Sequence, residues 1–291
     1  MQQIIYTNPL GKSVVFKRAP PYVFENLRGV SSVEAQPITT ESAGQDGKTF
    51  HQLTLSDREI SLTAHVEGIN IPDMYRRRQE LCAVMNSALH RNGSMGMIEY
   101  INDDGSYIIP AIVKLGPDPN DRKNRFNHIS LRWYCPNPYF RSKDPVVVRL
   151  AYLGSGFKFP LVIPEDEGVQ FGLIGYHAAA ILGGDSETPV EIRITGPAYN
   201  PKIINVLTGE FIRVKRTLVF GDELNISTGK GEKRVKITRA NGVVEDAFGY
   251  IDLASTFFQL SPGENPLEYE TEDNTTKSTI TITAYARFGG V

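Results

Sequence analysis

The chain has little of several features that mark specialised classes of protein. Its 291 residues include two cysteines, Cys82 and Cys135, too few for a disulfide scaffold, so we expect two reduced, buried thiols. Lys and Arg (31) nearly balance Asp and Glu (33), so the basic excess of a nucleic-acid-binding protein is missing. No apolar run approaches the roughly 20 residues needed to cross a bilayer, and no membrane insertion is expected.

A leader for export is not predicted either. Residues 1–12 have no basic segment followed by a long apolar one, so we expect no signal peptide and synthesis in a cytoplasm without signal-dependent export. Hydrophobic residues make up 41% of the chain and charged residues 22%, which predicts globular folding. The length favours two domains.

Alternation of apolar and polar residues predicts an N-terminal domain of mainly antiparallel strands. In 59–67 the even positions are apolar and the odd positions polar, as in a half-buried strand. The runs 97–101 and 107–115, joined by Asp103-Asp104-Gly105, predict a hairpin. Residues 127–135 predict a further strand.

One segment breaks this alternation. Between 72 and 91 the apolar residues recur at helical spacing, which predicts a single amphipathic helix packed on the sheet. Asn92-Gly93 ends it, as expected of residues able to take a left-handed conformation. The apolar stripe consists of Met74, Leu81, Val84, Met85, Ala88 and Leu89.

Two polar stretches, 36–48 and 116–125, are predicted loops of the first domain. Both are long for connections inside a compact domain, and such loops usually carry function or contact a partner. Solvated loops without a partner are the open alternative.

A domain boundary is predicted after Pro136-Asn137-Pro138, because proline cannot continue a central strand. The predicted domains are 1–143 and 144–291. Short strand-like runs separated by turn signals fill the second domain, which predicts a β-sandwich. These runs are 146–150, 190–195, 211–214, 223–227, 234–239, 250–253 and 278–288, and the region 152–184 stays unassigned.

The sequence holds no recognisable metal-binding motif. The histidines have neither His-x-x-x-His spacing nor Cys-x-x-Cys neighbours, so ordinary surface or strand histidines are the favoured interpretation. Their convergence in the folded chain stays open, and His65 is expected on the polar side of its strand. The five are His51, His65, His90, His128 and His177.

Motifs for phosphate binding and nucleophilic catalysis are also incomplete. Gly11-Lys12-Ser13 and Gly47-Lys48-Thr49 resemble the end of a P-loop, but the glycine required five residues earlier is absent. Gly154-Ser155-Gly156 lacks the third glycine of a dinucleotide fingerprint. No Gly-x-Ser-x-Gly nucleophile elbow occurs. We therefore predict no cofactor, no catalytic residue and no metal ligand.

Charged clusters offer a weaker route to chemistry. Asp103-Asp104 and Glu165-Asp166-Glu167 could supply paired carboxylates for glycoside hydrolysis, but their turn-like settings favour solvated charge. Arg76-Arg77-Arg78 would fan around a helix and cannot form one patch. A solvated helix surface is the default interpretation, with at least one arginine facing a neighbour or an acidic partner.

Short motifs at two places form an ordered series. Residues 133–140, Trp-Tyr-Cys-Pro-Asn-Pro-Tyr-Phe, close the first domain with an aromatic-then-Asn-Pro-Tyr junction. The second domain contains, in order, Gly196-Pro197, Asn205-Val206-Leu207-Thr208-Gly209-Glu210, Gly221-Asp222-Glu223-Leu224-Asn225-Ile226 and Leu260-Ser261-Pro262-Gly263-Glu264-Asn265. Thr-Gly-Glu and Pro-Gly-x-Asn are turn sequences, which specify a fold and not an active site. The series resembles the siphovirus distal tail protein family.

The resemblance implies a non-enzymatic part of a bacteriophage or prophage tail tip. It implies that 1–143 is a β-rich belt domain with one helix, which joins other copies in a six-membered ring, and that 144–291 is a galectin-like β-sandwich. The implied partners are the tail tube protein, a tail-associated fibre or lysin protein, and a receptor-binding protein. No insertion is large enough for an added sugar-binding module.

Two other functions compete with this interpretation. A carbohydrate-binding module for a cell-wall glycan could use aromatic residues that stack on sugar rings, although core packing is favoured for them. These aromatics are Tyr176, Phe248, Tyr250, Phe257 and Phe258. A glycosidase would need two carboxylates whose replacement abolishes hydrolysis.

Overall fold

The computed structural model describes residues 2–153, 175–272 and 278–291. The chain divides into two compact units: unit 1 is Met1–Lys143 with Phe288–Val291, and unit 2 is Asp144–Arg287. The structure is mainly β, with a β-rich first unit and a β-sandwich in the second, which confirms the predicted fold class. The run 165–167 and the motif 154–156 lie outside the described residues, as does most of the unassigned region 152–184.

Unit 1 is a closed β-barrel. Pairing runs from β1 through β2, β3, β6, β9, β8 and β7 and back to β1, so each of these seven strands has two partners in the ring, and β8 also pairs with β10. Closure removes the free sheet edges that an open sheet would expose. The strands of unit 1 are β1 (Gln3–Thr7), β2 (Ser13–Lys17), β3 (Tyr22–Arg28), β4 (Ala35–Thr40), β5 (Thr49–Leu55), β6 (Arg58–Glu67), β7 (Gly96–Ile101), β8 (Ser106–Lys123), β9 (Phe126–Cys135) and β10 (Phe140–Ser142).

The barrel core follows from strand alternation. The even residues of β6 are buried and its odd residues face outward, as predicted. Trp133 on β9 is fully buried, with its ring centroid 5.9 Å from Tyr6 and 6.4 Å from Phe16. The predicted hairpin at 97–115 is confirmed as β7 and β8, and Asn102 closes its turn by accepting from the Asp104 and Gly105 amides.

The helix α1 (Ile71–Val84) is shorter than the predicted 72–91. Asn70 caps its start by accepting from the Asp73 amide at 2.9 Å, and Met74, Leu81 and Met85 bury its apolar stripe. Its end is set by Asn86, whose side chain accepts from the Ala88 amide at 3.0 Å and starts a 3₁₀ turn, Ser87–His90. The helix therefore stops before Ala88, which is exposed.

Both predicted loops of unit 1 contain strands. Residues 36–40 belong to β4, and residues 41–48 form the turn that connects β4 to β5. Residues 116–123 continue β8, and only the tip around Asn124 and Arg125 turns. Three register shifts between β8 and β9 accommodate Pro117 and Pro119, which have no amide hydrogen to donate to the ladder.

The cysteine expectation is half right. Both thiols are free, and Cys135 is buried, which raises its pKa to about 12 by desolvation. Cys82 is exposed, because it follows the buried Leu81 on α1 and so faces away from the barrel.

Unit 2 is a sandwich of two antiparallel sheets that share strand β11. Residues 146–150 of β11 pair with β22, and 151–153 pair with β12. The first sheet has the order β11-β22-β13-β18-β19-β20 and the second β11-β12-β21-β15-β16. The strands are β11 (Val146–Leu153), β12 (Gly175–Leu182), β13 (Val190–Thr195), β14 (Ala198–Tyr199), β15 (Lys202–Asn205), β16 (Phe211–Arg213), β17 (Thr217–Leu218), β18 (Glu223–Ser227), β19 (Arg234–Thr238), β20 (Val244–Asp246), β21 (Gly263–Glu270) and β22 (Thr279–Ala284). The last strand, β23 (Arg287–Phe288), pairs with β10 in the sheet of unit 1.

Four predicted strands of unit 2 occur within one residue of their predicted bounds: 190–195, 211–214, 223–227 and 234–239. The predicted strand 146–150 extends to Leu153, and 278–288 is divided into β22 and β23. The predicted strand 250–253 is wrong, because Phe248–Tyr250 forms a 3₁₀ turn and only Ile251 makes a β-bridge, to Val214. Residues from both sheets bury one shared core, which includes Ile192, Ile282, Leu267 and Tyr269.

Three polar residues of the motif series are buried beside turns of unit 2. Asn265 donates to the Ser261 and Gly263 carbonyls at 2.8 and 3.1 Å and accepts from the Ser261 amide. Asn205 accepts from the Leu207 amide at 3.1 Å. These contacts explain the motif residues as backbone clamps, as their turn chemistry predicts.

Asp222 is the charged member of this set. Its carboxylate accepts from Arg239 at 2.7 Å and from the Val219 and Ala240 amides at 3.1 and 3.0 Å. Desolvation pushes the pKa of Asp222 upward, but these hydrogen bonds outweigh it and hold the pKa below its ordinary value.

Arg58 is a buried cation of unit 1, only 2% exposed. It donates to four backbone carbonyl oxygens, those of Gly29, Val30, Pro138 and Gly289. Its guanidinium also lies 4.9 Å from the centroid of the Phe140 ring. Gly29 has φ +88°, and an added Cβ would collide with the Glu59 carbonyl oxygen, so this position requires glycine.

We expect Arg58→Met to lower the free energy of unfolding of unit 1 by roughly 3 kcal/mol or more, because buried carbonyls would lose their donor. The chain has one tryptophan, the buried Trp133, so its fluorescence during urea denaturation reports this unit. Arg132→Met, at an exposed position of β9, is the matched control. Equal destabilisation by both variants would contradict the role of Arg58.

We expect Asp222→Asn to destabilise unit 2 at pH 7. Because the pKa of Asp222 is depressed in the folded chain, its contribution is present above the unfolded value of about 3.9 and is lost as pH falls below it. Hydrogen exchange of peptides spanning 219–240, measured at pH 7 and near pH 3, should show a smaller pH dependence in the variant. The exposed Asp185→Asn serves as control, and an unchanged profile in Asp222→Asn would refute the expectation.

Candidate functional site

The hairpin of β4 and β5, residues 35–55, forms a sheet separate from the barrel and is called the arm here. Its two strands pair with each other and, among the described strands, with no other. All but two of its strand residues are exposed. Three large apolar side chains are among them: Ile38 is 42% exposed, Phe50 59% and Leu53 54%.

The arm is a poor candidate for an independent structure. A two-stranded hairpin with no core is only marginally stable in water. Exposed apolar side chains gathered on one element usually mark a contact with another molecule, and both outer edges of the arm can accept a further strand. The arm therefore has the properties of a docking element.

The tip of the β8–β9 hairpin behaves differently. Arg125 forms an ion pair with Glu67 at 3.2 Å, and its carbonyl accepts from the Gly68 amide at 3.1 Å. Its guanidinium also lies over the Phe126 ring at 5.3 Å. The second predicted loop is therefore anchored to the barrel.

The basic run of α1 is engaged within the chain. Arg76 and Arg77 both pair with Asp73, at 2.6 and 2.7 Å, which holds the pKa of that carboxyl far below its ordinary value. Arg78 donates to the Asn127 side chain at 3.1 Å and lies 5.0 Å from the Tyr75 ring centroid. The three arginines thus meet neighbours in unit 1.

The histidines occupy three kinds of place. His90 is buried: it accepts from the Val113 amide at 3.2 Å through Nε2, so Nδ1 donates to the Ser94 carbonyl at 2.9 Å. His51 is exposed on the arm, and His177 lies on β12. The structure brings the remaining two, His65 and His128, together.

The other motif candidates lie in turns. Gly11-Lys12-Ser13 connects β1 to β2, and Gly47-Lys48-Thr49 leads into β5, so neither opens a helix. Asp104 accepts from the Tyr107 hydroxyl at 3.1 Å in the β7–β8 turn. These residues belong to turns that connect neighbouring strands.

Most of the proposed sugar-stacking aromatics are packed. Phe258 is buried, and Phe257 and Tyr250 pack against the core of unit 2. Phe248 is half exposed but stacks on Phe257 at 5.7 Å. The side chain of Tyr176 lies outside the described part of the chain.

An open groove of 510 Å³ runs over the outer face of the first sheet of unit 2. Its charges are mostly positive, and its charged lining residues are Arg149, Arg193, Arg234, Lys236 and Glu191. Asn225, Ser227 and Thr283 add hydrogen-bonding side chains. No helix in the described residues is long and apolar enough to cross a membrane.

Comparison with known proteins matches both halves of this architecture. The siphovirus-type tail component, C-terminal domain, matches residues 183–285, and the phage tail protein RIFT-related domain matches residues 10–92. The chain belongs to the siphovirus distal tail protein family. It is accordingly a structural component of a phage tail.

Solved structures share the fold over nearly the whole chain. The distal tail protein of phage SPP1 (gp 19.1) matches with a TM-score of 0.68 and 17% identity, covering 99% of both chains. A chain of the phage P2 baseplate in its activated conformation with Ca matches with a TM-score of 0.53 and 12% identity, covering 100% of this chain and 99% of that one. At these identities the likeness concerns the fold. Comparison with curated proteins gives no match.

Proposed function

We propose that the chain assembles into a six-membered ring at the tail tip and acts there as a hub. The ring would join the tail tube protein to a tail-associated fibre or lysin protein and would anchor receptor-binding proteins. The SPP1 protein of the same fold is described as a paradigm of the hub adsorption apparatus in phages that infect Gram-positive bacteria. This role requires the chain to bind its neighbouring proteins and does not require it to turn over a substrate.

The observation that carries the proposal is the exposed apolar arm. The barrel is closed, so most of its strand backbone is already paired within unit 1. The arm instead presents Ile38, Phe50 and Leu53 on an element with no core of its own. An arm that docks on a different surface of the next copy makes a head-to-tail contact, and repeated contacts of that kind form a ring when the rotation between copies closes.

Phe50→Ser with Leu53→Ser should weaken ring assembly, because the docking surface loses two large apolar side chains of about 1.5–3 kcal/mol each when fully buried. The monomer should keep its thermal stability, since neither side chain packs in the barrel core. Native mass spectrometry and negative-stain microscopy, with and without tail tube protein, measure the assembly.

The matched control is Phe220→Ser in unit 2, where the aromatic side chain is 85% exposed. This substitution removes an exposed aromatic side chain at a position that does not belong to the arm. If the wild-type chain stays monomeric in the presence of tail tube protein, the proposed ring is wrong. If the Phe50→Ser, Leu53→Ser variant still forms the ring, the proposed role of the arm is wrong.

Binding of an anionic cell-wall glycan is a second candidate function, favoured by the cationic groove of unit 2. Four of its five charged lining residues are basic, and an acidic polymer would meet this charge over an open surface. Because most of the candidate aromatic side chains are packed within unit 2, recognition by charge is better supported than recognition by stacking on sugar rings.

We expect Arg149→Ala with Arg234→Ala to reduce binding of an acidic polysaccharide at least about tenfold at low salt, because exposed cations act through screened charge attraction. Neutral dextran should bind neither the wild-type chain nor the double variant. Lys215→Ala, outside the groove, is the control. Equal binding of the acidic polysaccharide by the double variant and by Lys215→Ala would contradict this proposed function.

A further inference from the structure

Three side chains of unit 1 that lie far apart in sequence meet on the outer face of the barrel. They are Glu25 on β3, His65 on β6 and His128 on β9, three strands that lie side by side in this order. Their ligand atoms all lie within 4.8 Å of one another. We propose that these residues form a binding site for a divalent transition-metal ion of the Zn²⁺ class.

Strand register creates the histidine pair. His65 and His128 are directly opposite each other in the antiparallel β6–β9 ladder, so their side chains leave the sheet on the same face. Their ring centroids are 5.6 Å apart. Because both strands belong to the closed barrel, the spacing of the two rings is fixed by the backbone.

A β-bulge supplies the carboxylate. The β3–β6 register shifts between Phe24 and Asn26, which leaves Glu25 as the additional residue of β3. Bulges of this kind commonly re-aim a side chain. Here the result is that Glu25 Oε1 lies 2.8 Å from His65 Nδ1 and 3.1 Å from His128 Nδ1.

These distances are close to those of a metal site. Two donors bonded to one tetrahedral Zn²⁺ at about 2.0–2.1 Å stand about 3.3 Å apart, so each measured pair needs to open by about half an ångström or less. In the metal-free chain a carboxylate only accepts, so both Nδ1 atoms donate to it. On binding, the ion replaces those two bonds, and each neutral imidazole carries its proton on Nε2.

The surroundings favour binding as well. The Phe126 ring meets His65 edge-on at 5.8 Å and limits rotation of that imidazole. The neighbouring cation Arg125 is already paired with Glu67 at 3.2 Å. All three ligand side chains are partly open to solvent, which leaves an entry path and room for water at the remaining coordination positions.

The donor set determines the class of metal. Two imidazole nitrogens with one carboxylate suit Zn²⁺, Co²⁺ or Ni²⁺, whereas Ca²⁺ and Mg²⁺ prefer sites made of oxygens. The alternative is a purely structural cluster, in which Glu25 only bridges two imidazoles. The two differ in whether metal ions bind at one site that depends on all three side chains.

The test uses the full chain without a polyhistidine tag, stripped of metal with a chelator. Titration with ZnCl₂ by calorimetry should give one tight site per chain, and Co²⁺ should give visible d–d absorption bands that Zn²⁺ abolishes. His65→Gln, His128→Gln and Glu25→Gln should each weaken Zn²⁺ binding at least about tenfold, since even outer-shell changes commonly cost 10–100-fold. CaCl₂ should give no such heat.

His51→Gln, an exposed histidine outside the cluster, is the matched control and should leave the affinity unchanged. Circular dichroism without metal checks that each variant is folded, and Glu25→Gln keeps the size of its side chain if a histidine variant fails. No stoichiometric Zn²⁺ binding would overturn the site, as would affinity that falls in His51→Gln but not in the cluster variants.

Discussion

A buried guanidinium joins parts of unit 1 that strand pairing alone leaves separate. Arg58 is the first residue of β6. Its guanidinium donates to the carbonyl of Gly29 after β3, to that of Pro138 after β9 and to that of Gly289. Removing such a cation from water is costly unless its donors find acceptors, and these carbonyls together with that of Val30 accept from all three guanidinium nitrogens. Because β6 lies between β3 and β9, fixing its first residue also fixes the register that places Trp133 in the core and the histidine pair on the outer face.

Barrel closure determines where this chain can meet others. All seven barrel strands of unit 1 pair with one another in a closed ring, so most of their backbone is already engaged within the unit. Surface for association is therefore concentrated on the arm, where Phe50 and Leu53 have no core to enter. In a phage tail component, this separates a rigid body from a contact element that can order on assembly.

Local patterns were sufficient to predict much of the fold. Alternation located β6 and β9, and turn sequences located hairpins, because both depend on neighbouring residues. The end of α1 was missed because the side chain of Asn86 decides it, and the extension of β8 was missed because register shifts tolerate Pro117 and Pro119. The meeting of Glu25 with His65 and His128 depends on strand order and on one bulge, neither of which can be read from spacing.

The return of residues 288–291 to unit 1 has a consequence for biosynthesis. The ribosome produces most of the barrel first, yet Gly289, an acceptor for Arg58, emerges only after all of unit 2 has been translated. Until then Arg58 lacks one of its four backbone carbonyl acceptors. The hydrogen bonding of the first unit is thus completed only after synthesis of the second, so an interrupted translation product would differ from a finished subunit by this missing acceptor.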